Sequence, residues 1–191
     1  MQTNYVQDKI FENKDFTQNP KAIGEYEECV FNACNFADAI LSEYKFIDCQ
    51  FNDCNMSLVK LENTSFQEVK FNNCKMLGLQ FDTCNLFGLV FSFENCQLNH
   101  SSFYKLKLKK STFKNSKLQE TDFALCDLTS IVFDNCDLFK AVFDNTILDK
   151  ADFRTSYNYS IDPESNYIKK AKFSISGITG LLEKYDIEID K

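Results

Sequence analysis

Large apolar side chains recur at every fifth residue through most of this chain. From Tyr26 they run through Phe31, Phe36, Leu41, Phe46, Phe51, Met56, Leu61, Phe66, Phe71, Met76, Phe81 and Leu86 to Phe91. The register slips by two residues and resumes at Leu98. It continues through Phe103, Leu108, Phe113, Leu118, Phe123, Leu128, Phe133, Leu138, Phe143 and Leu148 to Phe153. We number each five-residue unit from this position, i. Position i−2 holds small or medium residues, among them Ala39, Val59, Thr64, Ser101, Thr121, Ile131 and Ala151, with Tyr44 the one misfit. All nine cysteines fall in this slot.

An α-helix turns about 140° in five residues and would spread these side chains around every side. A flat strand alternates faces, so an odd step would send them in and out by turns. The pattern buries one face only if the chain runs extended for three residues and then bends. Positions i−2 and i point inward, i−1 points out, and i+1 and i+2 form a corner. Asn32, Asn52, Asn72, Asp82, Asp134 and Asp144 follow an inward Phe. Their side chains suit a corner because they can bond nearby backbone. From Leu98 the inward residue alternates Leu and Phe, a period of ten that fits coils of either two or four sides. Four sides would stack Phe31, Phe51, Phe71, Phe91, Phe113, Phe133 and Phe153 on one side. They would stack Leu41, Leu61, Phe81, Phe103, Phe123 and Phe143 on the opposite one.

The units CNF, CNM, TDF, CDL and ADF resemble the A(D/N)LXX signature of the pentapeptide-repeat family over about residues 26–160. That resemblance implies an all-β fold, a right-handed quadrilateral parallel β-helix of twenty residues per coil. It implies a rod of about six to seven coils, roughly 30 Å long at ~4.8 Å per layer. Residues 1–25 are assigned to an N-terminal cap or degenerate coil and 26–160 to the solenoid, with the register slip near 92–97. Residues 161–191 hold a degenerate last coil and a C-terminal cap: a short helix near 180–186, N-capped by Thr179, and a strand at 187–189.

Composition adds constraints on function. The chain has 191 residues, 20 Phe, no Trp, one His and a net charge of −7. An acidic chain gains nothing in bulk from nucleic acid or an anionic membrane, so neither is expected as a direct partner. The N-terminal stretch lacks the apolar core of a signal peptide, and no apolar run nears the ~20 residues of a membrane span. A cytoplasmic protein is expected. The cysteines would stack at about the layer spacing with parallel Cα–Cβ bonds. Those bonds keep Cβ atoms too far apart for easy disulfides and too linear for a tetrahedral metal. They are read as small core hydrophobes, with no metal and no cofactor. His100 stands alone at an outward position, and no catalytic constellation is evident, so no enzymatic activity is expected.

The layout of lead-in, coil array, degenerate coil and GLLEKYDIEI tail resembles the Qnr-type quinolone-resistance proteins. Those are dimers that bind DNA gyrase and topoisomerase IV by imitating duplex DNA. The resemblance implies a type II topoisomerase as partner and a homodimer through the C-terminal segment. The residues themselves are read first as a protein-binding scaffold, with DNA mimicry as the alternative. One side carries Glu43, Glu62, Asp82, Asp122 and Asp144 against Lys60 and Lys105. Phe87, Phe93 and Phe139 are candidate apolar contacts. Leu181, Leu182, Tyr185, Ile187 and Ile189 are the candidate dimer interface. Lys105, Lys107, Lys109, Lys110, Lys114 and Lys117 make a basic belt at mid-rod.

Overall fold

The computed structural model describes residues 4–17 and 24–190. Two faces of the rod are parallel sheets. One joins Asn4–Gln7, Gly24–Glu27, Lys45–Ile47 and Ser65–Gln67. The other joins Ile10–Glu12, Val30–Asn32, Gln50–Asn52, Val69–Asn72, Phe91–Glu94, Thr112–Lys114 and Phe133–Asp134. The remaining two faces are ladders of single bridges, such as Asn35 to Asn55 and Ile40 to Lys60. Phe46 pairs with Phe66 and Phe31 with Phe51. Four ladders staggered by five residues, each repeating after twenty, settle the coil as four-sided.

The corners explain the period. The residue at i+2 takes a left-handed backbone in nearly every unit, as at Asp38 (φ 58°), Glu43 (φ 67°), Asn73 (φ 54°) and Lys105 (φ 61°). Such φ values are uncommon outside glycine, and Asn and Asp tolerate them best. The side chains that hold the turn are those at i−1: Asn35, Asn55, Asp122 and Asp137 each accept the N–H two residues on, at 2.8–3.2 Å. The Asn residues at i+1 bond one another between coils instead. Asn52 donates to Asn32 and Asn72 to Asn52, both at 2.9 Å.

The interior is a set of stacked columns. Phe31, Phe51, Phe71, Phe93, Phe113, Phe133 and Phe153 lie above one another with ring centroids 4.6–5.3 Å apart. Phe81, Phe103, Phe123 and Phe143 stack on the opposite side at 4.6–5.4 Å. Rings of the two columns meet edge to face, as Phe103 does Phe113 at 5.6 Å. These are the offset and T-shaped geometries that aromatic quadrupoles favour.

The register slip lies not at 92–97 but among residues 86–90. Asn85 still bridges Ser65 in the twenty-residue register, whereas Phe91 pairs with Val69 and Phe93 with Phe71. Leu86, expected inward, is exposed, and so is Phe87. Phe93, expected as a partner contact, is fully buried and replaces Phe91 in the Phe column. Phe91 itself stands in the small slot. Its ring lies 5.0 Å from Phe81, 5.3 Å from Phe93 and 5.6 Å from Phe66, filling the room Leu86 gives up.

At the N-terminal end the coil alternative holds for the described residues, and the C-terminal end departs from expectation. Residues 4–17, assigned to a cap or degenerate coil, form strands in register with the next coil, Val6 opposite Tyr26 and Phe11 opposite Phe31. Lys9 and Lys14 occupy the slot held one coil later by Cys29 and Cys34, and both are exposed. A charge in an inward slot bars another layer from stacking, a device that protects a sheet edge. At the other end the tail forms 3-10 turns at Ile175–Leu181 and Glu183–Tyr185. The N-cap is Ser174, which accepts from the Gly177 N–H at 3.1 Å, and not Thr179. Residues 187–189 form no strand. Gly177 and Gly180 let this segment lie directly on Tyr159, where any Cβ would collide with the ring hydroxyl or carbonyl oxygen.

The nine cysteines are free and buried. Cys54, Cys74 and Cys96 each donate to a carbonyl of the preceding coil at 3.3 Å. Burial pushes the thiols of Cys49, Cys126 and Cys136 up to about 12.

Phe91→Ala should destabilise the rod by about 3–5 kcal/mol, as expected for a lost core aromatic, whereas Phe87→Ala should stay within about 0.5 kcal/mol of the parent. Equal effects in urea unfolding would contradict the exchange of Leu86 for Phe91. The raised thiols add stability below their unfolded value near 9 that is lost as pH climbs toward about 12. The urea midpoint should therefore fall between pH 8 and about pH 10.5. Thiol titration should find nine reactive groups in denaturant and slow reaction in the native rod.

Candidate functional site

Surface chemistry is set by positions i−1, i+1 and i+2, which the coil leaves outside. Bridges from Gln80 to Ser102, Ser102 to Asp122 and Asp122 to Val142 align one face, and all five predicted carboxylates lie along it. Glu43, Glu62 and Asp144 are exposed; Asp82 and Asp122 are half-buried. Ser42 donates to Glu62 at 2.9 Å. The backbone N–H of Glu62 and that hydroxyl hold its carboxyl below the usual range. Asp122 is fixed by the Ala124 N–H at 2.8 Å. Asp82 sits in a short 3-10 turn, Phe81–Thr83, with one oxygen buried and without a hydrogen-bond partner among the described residues.

None of these five carboxylates forms an ion pair among the described residues. Lys60 and Lys105 share the face, and the Lys105 ammonium lies 4.8 Å from the Tyr104 ring centroid. The mid-rod basic belt is partly neutralised. Lys109 pairs with Asp127 and Lys114 with Glu94, each at 2.9 Å. His100 lies 3.5 Å from Glu120 on the surface, a neighbour the sequence reading did not give it. Among the described residues, no cluster of three or more His, Cys, Asp or Glu could hold a metal.

The apolar candidates separate. Phe87 is 77% exposed on the insertion, Phe139 is exposed with Lys140 5.3 Å over its ring, and Phe93 is in the core. Two further features were missed. Leu86 joins Phe87 at the surface, and a groove of about 690 Å³ runs between the last coil and the tail, lined in part by Phe139, Tyr157, Leu182, Ile187 and Ile189. Leu86 was hidden because it continues the five-residue step. The signal against it was Phe91, a large residue two before another large one, in what proves to be the small slot.

The dimer candidates divide as well. Leu181 packs on the core and Leu182 is half-buried. The Tyr185 hydroxyl donates to Glu164 at 2.9 Å, while Lys184 reaches Asp162 at 2.6 Å and Glu164 at 2.7 Å. Ile187 and Ile189 are exposed.

A pentapeptide repeat region model matches residues 25–92 and 89–158. A search of curated protein sequences finds no significant match. Among solved structures, a trypsin-treated variant of QnrB1, a plasmid-mediated fluoroquinolone resistance protein, is similar. It is 16% identical over 100% of both chains, with a TM-score of 0.60. HetL, a pentapeptide repeat protein involved in heterocyst differentiation regulation in the cyanobacterium Nostoc sp., is 11% identical. It covers 90% of this chain and 87% of its own, with a TM-score of 0.72. At these identities the likeness speaks for the fold alone. With the repeat model spanning the coils and the four-sided stack built from its five-residue unit, this chain belongs to the pentapeptide-repeat family.

Proposed function

We propose that the protein is a non-enzymatic binding rod that docks a basic protein surface on its acidic face. The observation that carries this reading is the row of Glu43, Glu62, Asp82, Asp122 and Asp144, unpaired among the described residues and fixed on a rigid core. Electrostatic complementarity of that kind steers encounter and fixes register. Exposed Phe139, at the corner that leads into that face, adds an apolar anchor, and aromatic side chains dominate contact energy. Free buried thiols fit a reducing compartment, which supports a cytoplasmic location; no helix among the described residues is long and apolar enough to cross a membrane. The tail supports self-association through the C-terminal end, where Leu182, Ile187 and Ile189 remain available.

A narrower reading takes the basic surface to be that of a type II topoisomerase, with the acidic face standing in for DNA phosphates. The overall likeness to a fluoroquinolone resistance protein supports it as a choice of test partner. Titration into gyrase supercoiling reactions, with and without a quinolone, is the experiment. Relief of quinolone inhibition should weaken at least tenfold in a Glu62→Lys, Asp122→Lys, Asp144→Lys variant and fall steeply with salt. No effect of the parent protein at micromolar concentration would remove the topoisomerase reading. Binding of gyrase that the triple variant leaves unchanged would remove the acidic face as the docking surface.

A further inference from the structure

The insertion projects where the C-terminal groove recedes, and the unpaired lysines near the one outnumber its carboxylate while carboxylates are the only charged groups lining the other. At the insertion, Leu86 is 63% and Phe87 77% exposed. The tip is held: the Phe87 N–H donates to Asn85 Oδ1 at 2.9 Å, and Gly88 supplies a left-handed turn (φ 66°). A fixed apolar tip loses little freedom on binding. One coil on, beside the same corner, stand Lys107, Lys109 and Lys110. Lys109 is engaged by Asp127, and Lys107 and Lys110 have no acidic partner among the described residues. The knob is therefore apolar, with Lys107 and Lys110 exposed on the side of the next coil and a single exposed carboxylate, Glu68, on the side of the preceding one, where Gln67 bridges Leu89.

The groove is its counterpart. Its volume of about 690 Å³ lies in the roughly 300–1,000 Å³ range of sites that enclose a drug-sized molecule, room for two large side chains. Leu182, Ile187 and Ile189 supply apolar side chains to a lining that is otherwise more polar than apolar, with Ser156, Asn158, Glu183 and Asp186 in it. No Lys or Arg lines it, and Lys184, between the two carboxylates in sequence, is turned to Asp162 and Glu164.

We propose that the Leu86–Phe87 knob of one copy seats in the C-terminal groove of a second copy. This rests on the reading that the chain self-associates through its C-terminal end, and it names the other half of that contact. Knob and groove are different patches, so the contact is heterologous. Each copy keeps one knob and one groove free, and growth is open-ended unless a ring closes. A two-fold dimer through the tail would instead stop at two copies and leave the knob unused.

Sedimentation velocity over a range of concentrations tests this with the full chain. The parent protein should grow beyond a dimer. Phe87→Ser, outside the core, should keep the parent melting curve and weaken association at least tenfold. Charge reversal gives a control independent of that side chain. Lys107→Glu with Lys110→Glu, and separately Glu183→Lys with Asp186→Lys, should each weaken self-association. An equimolar mixture of the two variants should associate again, because each now complements the other. Lysine suits position 186, whose left-handed backbone matches that of Lys105, Lys150 and Lys170. If association stops at a dimer and Phe87→Ser leaves it unchanged, the knob contact is wrong and the two-fold reading stands. A parent protein that stays monomeric at every concentration removes both.

Discussion

A left-handed residue at each corner lets a chain of L-residues bend after every third extended position, and the rest of the molecule depends on that bend. A left-handed residue costs about 1–2 kcal/mol without glycine, and this chain repeats it along its length. What holds it there is burial. Each unit turns an i and an i−2 side chain into a closed interior, and a fully buried Phe or Leu contributes about 1.5–3 kcal/mol. Corner and core sustain each other: without the bend, i and i−2 could not keep facing inward, and without the burial the corner would relax. Asn or Asp at i−1 tightens the turn locally, and the parallel ladders between coils satisfy the backbone.

The closed interior has a second consequence, since its volume must be conserved along the rod. Two extra residues could have been carried in a loop with both flanking side chains left in place. Instead Leu86 left the core, Phe91 entered from the small slot, and Phe93 took over the column. One large ring in a small slot compensates for one vacant large slot, so packing stays close where the register is broken. The same rule governs the ends. Lys9 and Lys14 stand where cysteine would permit another layer, and the glycines at 177 and 180 bring the cap down onto Tyr159.

The repeat made most of the fold legible in the sequence. The period of five assigned nearly every inward residue between Phe31 and Phe153, because a side chain's direction follows from its position in the unit. What escaped was whatever the period does not encode. Leu86 keeps the step and leaves the core, so only the three-dimensional register of Asn85 and Phe91 reveals it. Two-sided and four-sided coils share a period of ten, and only the pairing of Phe31 with Phe51 separates them. The groove depends on where the tail lies over the last coil, a tertiary contact with no local pattern. The acidic row was legible once sides were assigned, since its residues sit at fixed offsets from Leu41, Leu61, Phe81, Phe123 and Phe143.

The same geometry weighs how far that row can imitate a nucleic acid. Layers repeat at ~4.8 Å, so Glu43 to Asp144 spans six layers and roughly 24 Å. Five carboxylates over that length are about one charge per 5 Å, against one per about 3.4 Å for a single DNA strand and 1.7 Å for the duplex. Counting Lys60 and Lys105, the net falls to about one per 8 Å. The layer of Phe103 carries none of the five carboxylates but holds Lys105. Charge alone therefore gives a basic partner much less than DNA does. The remainder of any tight contact has to come from shape and apolar anchoring, which the rod supplies beside that row at Phe139. A partner selected on those terms reads both charge and apolar relief, and this favours a specific protein–protein contact over general imitation of a polyanion.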